Sequence, residues 1–86
     1  MKIRAYERFH RAYQTLPEEI QRKVDKQMHL MVANIQHPSL HSKKIKGRED
    51  IWEARVDLHY RMTYEIVDDT ILLRVVGNHD EILRTP

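Results

Sequence analysis

Five residues in the second half of this sequence, Glu53, Arg55, Arg61, Arg74 and His79, are of the types that handle a phosphodiester. Guanidinium forks match phosphate oxygens in a bidentate way. An imidazole, with an ordinary pKa of about 6.5, gives or takes a proton near neutrality, and a carboxylate held by its neighbours can serve as a base. Cleaving RNA without a metal needs three services: a proton removed from a ribose 2′-hydroxyl, a negatively charged phosphorane stabilised, and the departing 5′-oxygen protonated. Arginine performs the second, histidine and glutamate the others. The same residues also fit a plainer reading, in which the arginines form surface ion pairs with Glu53 and Glu65 worth about 0 to 1 kcal/mol each.

The elements that carry these residues decide between the readings. Residues 51 to 65, IWEARVDLHYRMTYE, alternate so that Trp52, Ala54 and Val56, then Tyr60, Met62 and Tyr64, share the apolar side. For even-numbered residues of both strands to pair, the connection must be a three-residue loop of Asp57, Leu58 and His59, or a bulged relative of it. Arg55 then lies opposite Arg61, a repulsive pair unless an anion sits between them. Across an Asp68-Asp69 turn, Tyr64 is expected beside Leu73 and Met62 beside Val75, which puts Thr63 by Arg74 and Arg61 by Val76. The face left open is thus expected to carry Glu53, Arg55, Arg61, Thr63, Glu65 and Arg74. Gly77 turns the chain there and brings His79 and Asp80 to its edge.

The first half reads as helices. Tyr6, Phe9, Tyr13 and Leu16 recur at helical spacing and predict an amphipathic helix between Ile3 and Leu16. TLPEE is a helix start, with a proline and two carboxylates in the first turn, and the second helix is expected from about Pro17 to Gln36. Its buried stripe reads Ile20, Val24, Met28 with Met31, and Ile35, and the short link at Thr15 and Leu16 makes the pair an antiparallel hairpin. His37-Pro38 ends it. SLHSKKIKG supplies a short edge strand, Gly47 to Asp50 a turn, residues 51 to 57 and 60 to 67 two strands, and TILLRVV a fourth. The fold class is α+β: an N-terminal antiparallel helical hairpin packed on one face of a four-stranded, mainly antiparallel sheet.

The chain's 86 residues make a single domain, residues 1 to 86. Without a cysteine, neither disulfides nor thiolate metal sites are possible. His37 and His41 are four apart, but Pro38 breaks the helix a metal pair would need, so both are expected to be solvated or hydrogen-bonded near the helix end, and no metal or cofactor is expected. MKIRAYERFHRAY has no apolar run of signal-peptide length and nothing approaches a membrane span, so a cytoplasmic protein without membrane contact is expected. Net charge is +2. The excess is concentrated in Lys43, Lys44, Lys46 and Arg48, a solvated edge by itself, and placed to hold flanking phosphates if the neighbouring face binds RNA.

Taken together, FHRAYQTLPEEIQRKV, HPSLHSKKIKG, IWEARVDLHYRMTYEI and VGNHDEIL resemble the RelE/ParE superfamily of bacterial toxins, from about Phe9 onward. The resemblance implies a small α+β fold and, on its RelE branch, an endoribonuclease that cleaves mRNA, often in the ribosomal A site. It implies that Arg61 contacts the scissile phosphate, that Arg55 stands at a basic position of the neighbouring strand, and that His79 takes the place of a C-terminal arginine or histidine. Glu53 stands where some relatives have lysine, and Leu83 near where many have a tyrosine. The superfamily's ParE-like branch implies the alternative, inhibition of DNA gyrase by binding. Either branch implies a cognate antitoxin, a segment that wraps the toxin, with exposed apolar residues of the hairpin and Leu72 or Val76 as contacts.

Overall fold

In the computed structural model, which describes all 86 residues, the chain forms a five-stranded sheet with two helices on one face and a third, short helix on the other. The elements are β1 (Lys2–Ala5), α1 (Glu7–Gln14), α2 (Glu18–Ala33), a 3-10 turn at Pro38–Leu40, β2 (Lys43–Lys44), β3 (Trp52–Arg55), β4 (Tyr60–Val67), β5 (Thr70–Asn78) and α3 (His79–Arg84). The sheet order is β1-β5-β4-β3-β2, antiparallel except where β1 runs parallel to β5.

The sheet therefore has five strands and is mixed, where the sequence reading expected four. Ile3 to Ala5 fall at the start of the expected first helix, but exposure alternates along Lys2–Ala5, and its backbone pairs with Thr70 to Leu73. Four residues are too few to show a period, and the helix starts only at Glu7, after extended Tyr6. Pro17 stands at the N-cap of α2 with Glu18 and Glu19 in the first turn, where carboxylates favour the helix dipole. The helix ends three residues before its expected limit, with extended Asn34 at its C-cap and Pro38 opening the 3-10 turn.

The core lies between the helical hairpin and the even face of the meander. Phe9, Ile20, Val24 and Met31 pack on Ala54, Val56, Met62, Tyr64, Leu73 and Val76. Each such side chain taken from water contributes about 1.5–3 kcal/mol. The buried stripe of α2 carries Gln27 rather than Met28, which is only half-buried.

The pairing of β3 with β4 follows the parity reading: Trp52 opposite Tyr64, Ala54 opposite Met62, Arg55 opposite Arg61. Between β4 and β5, Tyr64 pairs with Leu73 as expected, but a bulge follows. Thr63 pairs with Val75, Met62 with Val76 and Arg61 with Gly77, each shifted by one from the expected register. Arg74 is the extra residue, and Val76, read as a residue of the open face, is buried against the core.

The odd face is not open throughout. Gly77 lies inside β5, which runs on to Asn78, and the chain then turns into α3. Asn78 caps α3, its Oδ1 accepting from the Asp80 N–H at 3.1 Å. A Cβ on Gly77 would stand 3.3 Å from Ile82 Cγ2, so the absent side chain lets α3 lie close to the sheet. Thr63 is fully buried there, its hydroxyl donating to the Pro86 carbonyl at 2.9 Å. What stays accessible is the β2 side of this face. No helix is long and apolar enough to cross a membrane.

Candidate active site

On that accessible side a cavity of about 340 Å³ is lined by His41, Ser42, Lys43, Glu53, Arg55, Arg61 and His79, none of them apolar. β3 supplies Glu53 and Arg55, β4 Arg61, β2 Lys43, the residues just before β2 His41 and Ser42, and the first turn of α3 His79. Strand alternation places the β-residues: Glu53 and Arg55 share parity on β3, and Lys43 is the register partner of Glu53.

Glu53 is 4% exposed, with Oε1 3.8 Å from Lys43 Nζ and 3.9 Å from Arg61 Nε. A buried carboxylate is tolerable only with such partners. Arg61, also buried, turns Nη1 onto the Asp57 carbonyl and, at 3.2 Å, the Leu58 carbonyl of the β3–β4 loop, and onto that of Tyr60 at the start of β4 at 3.0 Å. These acceptors and Glu53 offset the repulsion that its register partner Arg55 imposes.

Arg55 is left differently. It has no ion-pair partner, and its Nε is buried without a hydrogen bond. Ser42 Oγ is the other buried side-chain polar atom in this condition, and both residues line the same cavity. Ser42 sits near enough to Tyr64 to soften the rise that burial imposes on that phenol's pKa, without a well-formed hydrogen bond between them. A buried donor left unpaired costs about 1–3 kcal/mol.

The loop between β3 and β4 is built to hold Arg61 and His79. Asp57 Oδ1 accepts from the N–H groups of His59 and Tyr60, both at 2.9 Å, and Oδ2 meets Lys23 Nζ of α2 at 3.2 Å. Burial alone would raise the Asp57 pKa, but the two N–H donors and the Lys23 ammonium outweigh it and hold the carboxyl below its usual range. The same loop takes the His79 N–H on the His59 carbonyl at 2.8 Å, anchoring the start of α3. Asp80 Oδ1 lies 3.5 Å from His79 Nδ1.

Gln27 ties the helical layer to the site. Its Nε2, in a side chain 6% exposed, donates to the Arg55 carbonyl at 2.8 Å and to the Ser39 carbonyl at 3.3 Å. One contact fixes the strand bearing Arg55, the other the turn that leads to His41.

Of the residues singled out from the sequence, Glu53, Arg55, Arg61, His79 and Lys43 come together. Arg74 does not line the cavity: it meets Glu65 at 3.2 Å, donates from Nε to the Pro86 carbonyl at 3.1 Å, and stands over the Tyr6 ring. For this arginine the ion-pair reading holds, because the bulge sets it toward Glu65. Lys44 lies over the Trp52 ring at 5.5 Å from its centroid, while Lys46 and Arg48 are exposed in the β2–β3 connection. His37 accepts from the Ser39 N–H on Nδ1, and His41, exposed in its turn as expected, also borders the cavity. No three His, Asp or Glu side chains gather in a way that would hold a metal ion.

No family model and no curated protein matches the chain. Solved structures do. YafQ from E. coli strain BL21(DE3) superposes with a TM-score of 0.79 at 14% identity, covering 94% of this chain and 96% of YafQ. The RelB-RelE antitoxin-toxin complex from Methanococcus jannaschii gives 0.76 at 24% identity, over 95% of this chain and 98% of the matched one. The YoeB/ParE toxin from Agrobacterium tumefaciens gives 0.78 at 14% identity, over 92% and 99%. These superpositions give this chain the fold of the RelE and YoeB/ParE toxins.

Proposed function

We propose that the chain is the toxin of a type II toxin–antitoxin pair and acts in the cytoplasm as a metal-independent endoribonuclease on mRNA. The observation that carries this reading is the cavity itself: two facing guanidiniums, one with an unpaired buried donor, beside a buried carboxylate and an imidazole. A phosphate would pair with the Arg55 guanidinium, which has no ion-pair partner of its own, and Arg61 would share the charge that grows on the phosphorane. Glu53, held by Lys43 and Arg61, orients them, and His79 moves a proton. Lys44, Lys46 and Arg48 would hold flanking phosphates without reading bases. An antitoxin partner follows by likeness to neighbours that include the E. coli DinJ-YafQ toxin-antitoxin complex.

The test uses purified protein with ribosome-bound and free mRNA in the presence of a chelator. Cleavage is expected, ending in a 2′,3′-cyclic phosphate, and Arg61→Ala and His79→Ala should each lower its rate by about 10²-fold or more. Intact message together with trapped gyrase–DNA cleavage complexes would replace this reading with gyrase inhibition by binding.

A further inference from the structure

Helix α3 begins with His79 and is six residues long. So short a helix does not hold its form in water, because the first turn costs more to order than its few hydrogen bonds return. Its geometry, and with it the place of His79 at the cavity, is therefore set by the contacts it makes. At its start the His79 N–H rests on the His59 carbonyl at 2.8 Å, and Asn78 caps the first turn. Ile82 is buried in the middle, next to Gly77.

Beyond the far end of α3, three separate elements grip the two residues that follow it. Thr63 of β4 donates its hydroxyl to the Pro86 carbonyl at 2.9 Å, and Arg74 of β5 donates from Nε to the same oxygen at 3.1 Å. Arg8 of α1 donates from Nη2 to the Thr85 hydroxyl at 2.9 Å and also to the Thr85 carbonyl. Both Thr63 and Pro86 are buried, and Glu65, 3.2 Å from Arg74 Nη1, steadies the guanidinium that reaches the tail. A valine would fill the space of Thr63 without a polar group to satisfy, so the hydroxyl has a task there in its bond to Pro86. The bulge that takes Arg74 away from the cavity leaves it at this tail instead.

We propose that Thr63 and Arg74 are positioning residues for His79: by clamping the Pro86 carbonyl they hold α3 from its far end and so keep the imidazole at its near end in place. The catalytic half of this inference rests on the ribonuclease reading, in which His79 moves a proton. At 1.5 Å per residue α3 is only about 9 Å long, so it has no further turn to absorb the loss of an anchor, and fraying that starts at Thr85 reaches His79. A displacement of about 1 Å there is enough to spoil proton transfer. Arg61 keeps its carbonyl acceptors in the β3–β4 loop and Arg55 its place on β3, so the groups that would hold the phosphate do not depend on the clamp.

The experiment uses Thr63→Val, which keeps the shape and removes the hydroxyl, beside Arg74→Gln and the conservative Thr63→Ser. Amide hydrogen exchange on the whole protein should show α3 exchanging about 3- to 10-fold faster in Thr63→Val and Arg74→Gln with α2 unchanged, and Thr63→Ser restoring most of the protection. In single-turnover cleavage of mRNA, ribosome-bound if the protein requires it, Thr63→Val should lower the maximal rate by about 10-fold at an unchanged half-saturating concentration. The same substitution made in His79→Ala protein should lower the remaining rate by less than about 2-fold, because the group being positioned is gone. An equal loss with and without His79, exchange that rises in α2 as much as in α3, or unaltered exchange in α3 overturns the assignment while leaving the ribonuclease reading in place. A wild-type protein that cuts no RNA overturns both.

Discussion

Replacing Gln27 by methionine tests whether the helical layer positions the site. The two side chains are similar in length and volume, so the change removes two hydrogen bonds with little change in packing. One of them, to the Arg55 carbonyl at 2.8 Å, is well formed, and the other, to the Ser39 carbonyl at 3.3 Å, is weaker. At about 1 kcal/mol for each bond, with a further contribution from carbonyls left without this donor, the expected loss is about 2–3 kcal/mol. A domain of this size moves its melting temperature by about 4–8 °C per kcal/mol, so Tm should fall by roughly 8–24 °C. Activity should fall as well, because the strand of Arg55 and the turn before His41 lose a common tether, and a displacement of about 1 Å can cost 10²-fold in rate. Thermal unfolding followed by circular dichroism gives the first quantity, and single-turnover RNA cleavage well below the melting range gives the second. A Gln27→Met protein that melts within about 2 °C of wild type and cuts at the same rate would refute the argument.

Gly77→Ala should lower stability by about 1 kcal/mol or more and slow cleavage, because the new methyl group meets Ile82 Cγ2 at 3.3 Å and shifts the helix that begins with His79; unchanged melting and rate would show that α3 is not held this tightly. Asp57 has a folded-state pKa below its unfolded value of about 3.9, so its contribution is present above that pH and is lost as pH falls through the folded value. Urea unfolding across the acid range should accordingly show wild type and Asp57→Ala converging below about pH 4, and a constant difference would contradict the pairing with Lys23. If Lys46 and Arg48 hold phosphates, each change to alanine should weaken RNA binding without altering sequence preference and make the slope of log K against log salt shallower by about 0.7, as measured by fluorescence anisotropy; an unchanged slope would mark them as a solvated edge.

Period-two alternation made the meander legible: the span Tyr60–Val67, the facing of Arg55 and Arg61, and the pairing of Tyr64 with Leu73 all follow from which residues must hide. The features that escaped are those with no local period. β1 is defined by a parallel partner near the other end of the chain, and Lys-Ile-Arg-Ala alone cannot announce that. The bulge at Arg74 falls within ILLRVV, where apolar residues on both sides permit either register. α3 is a six-residue helix, too short for periodicity, although Asn78 followed by Asp80 and Glu81 is a recognisable start. Gln27 escaped because the stripe of the second helix was traced through apolar residues alone. Within the cavity, parity grouped Glu53, Arg55 and Arg61, whereas separating Arg74 from them required the bulge.

The parallel pairing of β1 with β5 bears on how such a chain is made. Synthesis delivers β1 and the helical hairpin first, so an apolar stripe emerges before the strands that will cover it exist. β5 is the inner strand that joins the earliest segment to the meander, and His79 follows directly on it. A nascent chain stopped short of Thr70 has neither a finished sheet nor a finished cavity. Topology thus withholds the finished cavity from every partial product.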